Sequence, residues 1–314
     1  MPERRPAEGR RVLLVTLGVL AMLALVPLLG DLFWTRLVTR VMIYGLAALS
    51  LDLILGLGGM VSFGHAAWFG LGGYVVAISA THGLEDALVV WPLAVLVAGG
   101  AALVVGAISL RTAGVSFIMI TLAFAQMIYF LFASLRPYGA DDGLAIWRRN
   151  LVLGFELLSD HTVFFYLVLA ILALALAALL RLRVARFGLL LRGVRQNEAR
   201  MTALGFPTFR YKLAAFTLAG SLAGLAGALL ANHALYVSPS TLHWTTSGEL
   251  IVMVVLGGMG SLIGPVLGAT GLLLAEEALS ARTAHWQAVL GAGLVLAVLF
   301  TRQGLFGWLL GRRG

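Results

Sequence analysis

The sequence predicts an all-α polytopic membrane protein of about ten transmembrane or half-membrane helices. Three observations carry that prediction. Hydrophobic residues make up 61% of the chain and charged residues only 11%, whereas a soluble domain carries about 25% charged residues. Apolar runs of roughly twenty residues, enough to cross a bilayer core, recur along the whole length. The 38 glycines fit as well, because glycine is commoner in transmembrane helices than in soluble ones. The chain reads as one transmembrane domain over 1–314. A basic tail (1–11) and a basic loop (181–212) are expected on its cytoplasmic side.

The elements follow in order. The start, "MPERRPAEGRR", carries Arg4, Arg5, Arg10 and Arg11, and the apolar run after it reaches Gly30. A signal peptide has a shorter apolar core and a small-residue cleavage site; "LVPLLGDLFW" offers none, so a retained first helix is expected. Six crossings are predicted before the basic loop, at about 12–30, 37–56, 61–80, 89–110, 115–134 and 162–180. The loop holds Arg181, Arg183, Arg186, Arg192, Arg195, Arg200, Arg210 and Lys212 against the single acid Glu198. Loops rich in Lys and Arg stay in the cytoplasm, so the formal charge of +8 reports membrane orientation and not nucleic-acid binding. The intervening outer loops are acidic ("THGLEDAL") or balanced.

Further apolar runs lie at about 213–231, 248–275 and 286–301. Three crossings would strand Arg302, Arg312 and Arg313 outside. The middle run, as one helix, would span roughly 42 Å against a core of about 30 Å. It also contains "GGMGSLIGP", whose Gly257, Gly258, Gly260, Gly264 and Pro265 are poor helix-interior residues. Two short helices joined there restore an even count and a cytoplasmic C-terminus. An earlier stretch, "LGGMVSFG", matches it: Leu57, Gly58, Gly59, Met60 and Ser62 correspond to Leu256, Gly257, Gly258, Met259 and Ser261. An internal repeat and a chance recurrence of glycine-rich apolar sequence both explain the match. Glycine and proline interruptions in each half of a transporter point to the translocation pathway.

The chemistry is sparse. There is no cysteine, which excludes disulfides and thiol nucleophiles. Lys212 is the only lysine and sits in "FRYKLAAF", so the chain has no nucleotide-binding P-loop. No metal site is expected from the six scattered histidines, and no catalytic motif occurs. Asp52, in "LSLDLILG" and mid-helix by the predicted boundaries, is either a pathway group or a hydrogen-bonded tie between helices. Gly58, Gly59, Ser62, His65, Thr121, Gln126, Gly257, Gly258 and Ser261 complete the pathway candidates. Glu249, three residues after Thr246, suits a helix N-cap arrangement. Gly220, Gly224 and Gly227 suit close helix packing. In "GVRQNEARMTALGFP", Val194, Met201 and Leu204 fall on one side of a short helix that Gly205 and Pro207 stop. Such a helix docks in a groove of a soluble partner or lies on the membrane surface.

"LSLDLILGLGGMVSFGHAAWFGLGGY", "GVSFIMITLAFAQM", "GADDGL", "ARFGLLLRGVRQNEARMTALGFPTFRYKLAAF" and "SGELIVMVVLGGMGSLIGPVLGA" resemble the LivM-type permeases. These are membrane subunits of ABC importers for branched-chain amino acids, and the similarity runs from about residue 40 to 302. The resemblance implies a bacterial inner-membrane subunit that pairs with a LivH-type permease, with two cytoplasmic ATPases that bind ATP and magnesium and with a periplasmic binding protein. It implies that Arg195, Glu198, Ala199, Arg200, Leu204 and Gly205 form the helix that seats on an ATPase. Asp141 and Asp142, in "GADDGL", then lie where the binding protein docks. Two departures stand out: many relatives carry asparagine where Asp52 stands, and a Gly-Gly pair where Gly139-Ala140 stands. The same pattern serves importers of urea, short amides and small carboxylates. A secondary transporter with Asp52 carrying a proton, and an uncoupled channel, are the competing functional readings.

Overall fold

The computed structural model describes residues 6–283, 285–300 and 304–309. Helices dominate. Ahead of the basic loop come α1 (Pro6–Ala24), α2 (Leu32–Asp52), α3 (His65–Thr81), α4 (Ala87–Ser109), α5 (Val115–Ser134) and α6 (His161–Val184). The loop itself forms α7 (Arg186–Gln196) and α8 (Glu198–Ala203). After it come α9 (Thr208–Ala234), α10 (Trp244–Gly257), α11 (Gly264–Ser280), α12 (Trp286–Phe300) and α13 (Gly304–Leu309).

Among the described residues, α1–α6 and α9–α12 make ten elements that run alternately between two faces. Five helical segments are long and apolar enough to cross a membrane: Leu32–Leu57, Ala87–Ser109, Val115–Ser134, His161–Val184 and Thr208–Ala234. The expected split of the long run is present, since α10 ends at Gly257 and α11 starts at Gly264. The chain therefore returns to the face that carries α7 and α8, where Gly304 of α13 sits against Gly258. Arg302, Arg312, Arg313, Arg4 and Arg5 lie outside the described residues.

Aspartates start three of the helices that leave the opposite face, α2, α4 and α6. The side chains of Asp31, Asp86 and Asp160 accept from Phe33 N at 2.8 Å, Leu88 N at 2.9 Å and Thr162 N at 2.7 Å. Such caps satisfy donors that a helix end leaves open and complement its positive dipole. The Thr162 amide holds the Asp160 carboxyl below its usual range. The loop between α5 and α6 is pinned on this face by a two-residue pairing, with Leu144 opposite Val237 and Ala145 opposite Tyr236.

The core forms around α2, which is buried on every side from Val41 to Asp52 apart from Tyr44. Packing on α9 is made close by small residues. A Cβ on Gly220 or Gly224 would meet Ala102 or Ala98 of α4, and one on Gly227 would meet the Phe69 carbonyl of α3. Membrane helices without a hydrophobic driving force between them associate through such close backbone approach.

Four expectations need correction. First, α1 begins at Pro6, ahead of the apolar run expected from residue 12, so Arg10 and Arg11 are already helical. Second, the single helix expected around 194–204 is two. Asn197 is extended (φ −161°, ψ 98°) and its side chain caps α8 by accepting from Arg200 N at 2.9 Å. Val194 is buried at the end of α7 while Leu204 is 66% exposed beyond α8, so they do not share one apolar edge. Third, His243 and not Thr246 caps α10; Thr246 lies inside the helix and its hydroxyl donates to Ser240 O at 3.3 Å. Fourth, Asp52 ends the α-helical part of α2, and five residues in a π turn, Leu53–Leu57, separate it from the break.

Candidate functional site

The two glycine interruptions meet each other on the face that carries α7 and α8. Each ends a helix arriving from the opposite face, and the two arriving helices, α2 and α10, run in the same direction. One matched pair shares an unusual backbone. Gly59 and Gly258 both have positive φ, +71° and +110°, a region that L-residues with a Cβ avoid. The chain then resumes as helix at His65 and at Gly264, equally far beyond those glycines. A serine closes each turn: Ser62 Oγ accepts from Gly64 N at 3.2 Å, and Ser261 Oγ accepts from Gly264 N at 2.8 Å while donating to Gly258 O at 2.7 Å. Gly257 packs directly on the Gly264 carbonyl.

Three charged side chains tie these turns together. Asp52 is fully buried. One of its oxygens accepts from Gly260 N at 2.6 Å and the other from Leu262 N at 3.0 Å, so a carboxylate of the first segment satisfies the backbone of the second. Arg195, in the last turn of α7, donates to the Gly56 carbonyl above the first break. Arg183, near the end of α6, donates to Ser261 O at 3.2 Å in the second. Both breaks are thus held from the basic segment as well as by each other. Hydrogen bonds to charged groups contribute about 1.5–3 kcal/mol each when well formed.

The basic segment is itself braced. Lys212 Nζ of α9 lies 2.5 Å from Glu198 Oε1 of α8, with Lys212 nearly buried. A cavity of about 610 Å³ opens between these parts. Gly58, Gly59 and Met259 line it from the breaks, and Arg195, Glu198 and Lys212 from the basic segment.

The other sequence candidates distribute unevenly. His65 stands just past the first break, with Nε2 2.8 Å from Ser50 Oγ, whose hydroxyl also reaches Ala47 O at 2.7 Å. A hydroxyl has one proton. If the carbonyl takes it, Nε2 carries the imidazole proton, and Nδ1 is buried with no hydrogen-bond partner. Thr121 of α5 is buried and its backbone carbonyl abuts Gly64. Its hydroxyl is spent on Ile118 O at 2.9 Å, and Gln126 Oε1, one and a half turns on, is buried without a partner. Ala199 and Arg200 of α8, and Leu204 and Gly205 in the turn after it, are exposed and do not line the cavity at the breaks. Asp141 and Asp142 lie on the opposite face, exposed, in a single 3-10 turn (Ala140–Asp142). Sequence reasoning singled out neither Arg183 nor Lys212 as site residues, although both belong to the basic run. Ser50, the partner of His65, carried no signal that would have found it. Among the described residues no three His, Asp or Glu side chains are grouped to hold a metal ion.

A helical bundle with paired glycine breaks fits many transporters, and comparison with known proteins narrows it. The family model described as "Branched-chain amino acid transport system / permease component" matches residues 33–299. The chain belongs to this family of permeases. Two curated relatives are the high-affinity branched-chain amino acid transport system permease proteins LivM of Salmonella typhimurium strain LT2 and Escherichia coli strain K12. Each is 28% identical over 290 residues, covering 85% of this chain and 68% of the relative. No solved structure matches the chain. As a permease component, the chain is a multi-pass membrane transport subunit, and both breaks fall inside the matched region. So do Asp52, Arg183 and Arg195.

Proposed function

We propose that this permease is one of two membrane subunits of an ATP-driven importer. It passes a small polar solute, a branched-chain or other amino acid, delivered by a periplasmic binding protein. The relatives named for branched-chain amino acid transport support that substrate class. A LivH-type permease completes the pathway, and two cytoplasmic ATPases supply the energy from ATP and magnesium. The protein resides in the bacterial inner membrane with both termini and the basic loop in the cytoplasm, as the positive-inside tendency requires.

One observation carries the mechanism: the segment that bears the exposed end of α8 also bears the arginine that grips the first break. In this reading, Glu198, Ala199, Arg200, Leu204 and Gly205 form the surface that seats on an ATPase. When the ATPases close around ATP, α8 is pushed. Motion passes to α9 through the Glu198–Lys212 pair and to the breaks through Arg195 and Arg183. Because Asp52 couples the two breaks, they rearrange together, which is what a two-state gate needs. Asp141 and Asp142 on the outer face meet the binding protein.

The test replaces Glu198 and Arg200 in the assembled complex and measures ATP-driven uptake together with subunit assembly. Uptake should fall with ATPase binding or with ATPase stimulation. Normal uptake and normal assembly would remove α8 from the coupling path. Pull-down of the chain from native membranes should bring a second permease and two ATPases. A chain that purifies alone and still moves solute in liposomes would overturn the importer reading.

A further inference from the structure

On the face opposite the basic segment, a second cavity of about 610 Å³ lies among the first turns of α2, the start of α6 and the chain that follows α9. Arg36, Arg40, Arg149, His161 and His233 line it, with no acidic residue in its wall. Its size falls within the roughly 300–1,000 Å³ of small-molecule sites.

Both ring nitrogens of His161 face guanidinium donors. His161 Nδ1 lies 2.6 Å from Arg149 Nη2, and Nε2 lies 2.9 Å from Arg36 Nη2. A guanidinium only donates, and a neutral imidazole has one acceptor nitrogen. One of the two contacts therefore sets N–H against N–H. Arg149 is anchored elsewhere, to Asn232 O at 3.1 Å and Leu158 O at 2.8 Å, and lies over the Phe164 ring at 4.6 Å. Burial and the nearby Arg36 charge hold its guanidinium below its ordinary value. Arg36, exposed at the rim, has His161 as its hydrogen-bond partner among the described residues. Arg40 reaches Glu276 at 3.5 Å and lies over the Tyr44 ring, 5.7 Å from its centroid. Nδ1 of His233 is buried without a partner.

A neighbouring cavity of about 430 Å³ shares Arg36, Arg40 and His233 and adds Glu277 beside Leu32, Phe33 and Leu37. Glu276 and Glu277 oppose a second negative charge but complement an ammonium. A zwitterion fits this sequence of charges better than a phosphate.

We propose that this outer cavity is an entry subsite for the solute's carboxylate, held between the Arg36 and Arg40 guanidiniums and the unmatched N–H of His161. The carboxylate supplies the missing acceptor, and planar guanidinium donors suit it. The subsite rests on the importer reading above and receives the solute as the binding protein releases it.

This chain has no cysteine, so an introduced one is its single thiol for a charge-rescue test, and the complex with the unsubstituted chain, given the same reagents, is the control. The whole importer, reconstituted with its binding protein, carries Arg36→Gln, Arg36→Lys or Arg36→Cys. Arg36→Gln should lower uptake per ATP hydrolysed by about tenfold or more, with binding-protein affinity and stimulated ATPase unchanged, and Arg36→Lys should retain most uptake. Modifying Arg36→Cys with an aminoethyl methanethiosulfonate should restore uptake, and the sulfonatoethyl reagent should not. Arg40→Gln, at a half-buried site, supplies a second variant with the same expected pattern. Unchanged uptake per ATP in both Gln variants overturns the proposal. Loss of binding-protein affinity overturns it in favour of a docking carboxylate. A defect seen only in liposomes containing anionic lipid overturns it in favour of a headgroup site. Failure of the unsubstituted complex to take up solute with ATP instead overturns the importer reading itself.

Discussion

At Asp52 both carboxylate oxygens are committed to backbone N–H groups of the second break, Gly260 and Leu262. Asp52→Leu leaves those two buried donors unmatched, at a cost of about 1–3 kcal/mol each, and should lower the thermal unfolding midpoint of the purified complex. Asp52→Asn keeps one acceptor but turns an amide N–H toward the other donor, so its midpoint should fall between Asp52→Leu and the parent. The same variant separates the functional readings. A proton carrier loses transport altogether with asparagine, whereas a tie between breaks retains ATP-driven uptake within a few-fold. Ala140 offers the reverse case. It has φ +44°, a conformation that costs an L-residue about 1–2 kcal/mol. Ala140→Gly should therefore raise stability, by less than that amount because glycine gives the unfolded chain more freedom. Thermal unfolding of the two proteins side by side measures it.

Elements differ in how far the sequence betrays them. The long apolar helices and both breaks were legible because bilayer thickness fixes helix length and glycine marks where helices stop. Even the equivalence of Gly59 and Gly258 could be seen in five matching residues. The basic segment was harder. Periodicity alone joined Val194, Met201 and Leu204 into one helix, but the Asn197 side chain satisfies the start of a new one. Polar side chains that bond to nearby backbone override helical pattern in this way. Least legible were the long-range ties, Asp52 to Gly260 and Arg183 to Ser261, because nothing local announces a partner that far along the chain. On α9, the small-residue face was legible and makes a sharp prediction. A Cβ at Gly227 would meet the Phe69 carbonyl, so Gly227→Val must move α3 off α9. Overpacking of this kind costs about 1–3 kcal/mol and should appear as a lowered unfolding midpoint. Gly100→Val, where a Cβ meets nothing within 4 Å, should leave it unchanged.

For the whole molecule, the decisive quantity is the parity of crossings, because it sets which groups face the ATPases and which face the binding protein. An even count puts the two breaks, the basic segment and α13 on one side. It puts Gly83, Asp141 and Arg282 on the other, with the carboxylate cavity. The chain's lack of cysteine allows each position to be tested alone. Gly83→Cys, Asp141→Cys and Arg282→Cys should react with a membrane-impermeant maleimide added to intact spheroplasts. Met259→Cys and, once the ATPases are stripped from the membrane, Leu204→Cys, both at exposed side chains, should react only in inverted vesicles. The contrast between sides should exceed about tenfold, since a bilayer core of about 30 Å bars a charged reagent. Arg282 is the most informative position. It follows α11, so its labelling from outside requires that α10 and α11 turn back at the glycine break. If α10 and α11 formed one continuous crossing, Arg282 would label from the same side as Leu204, and the gate formed by two touching breaks could not exist.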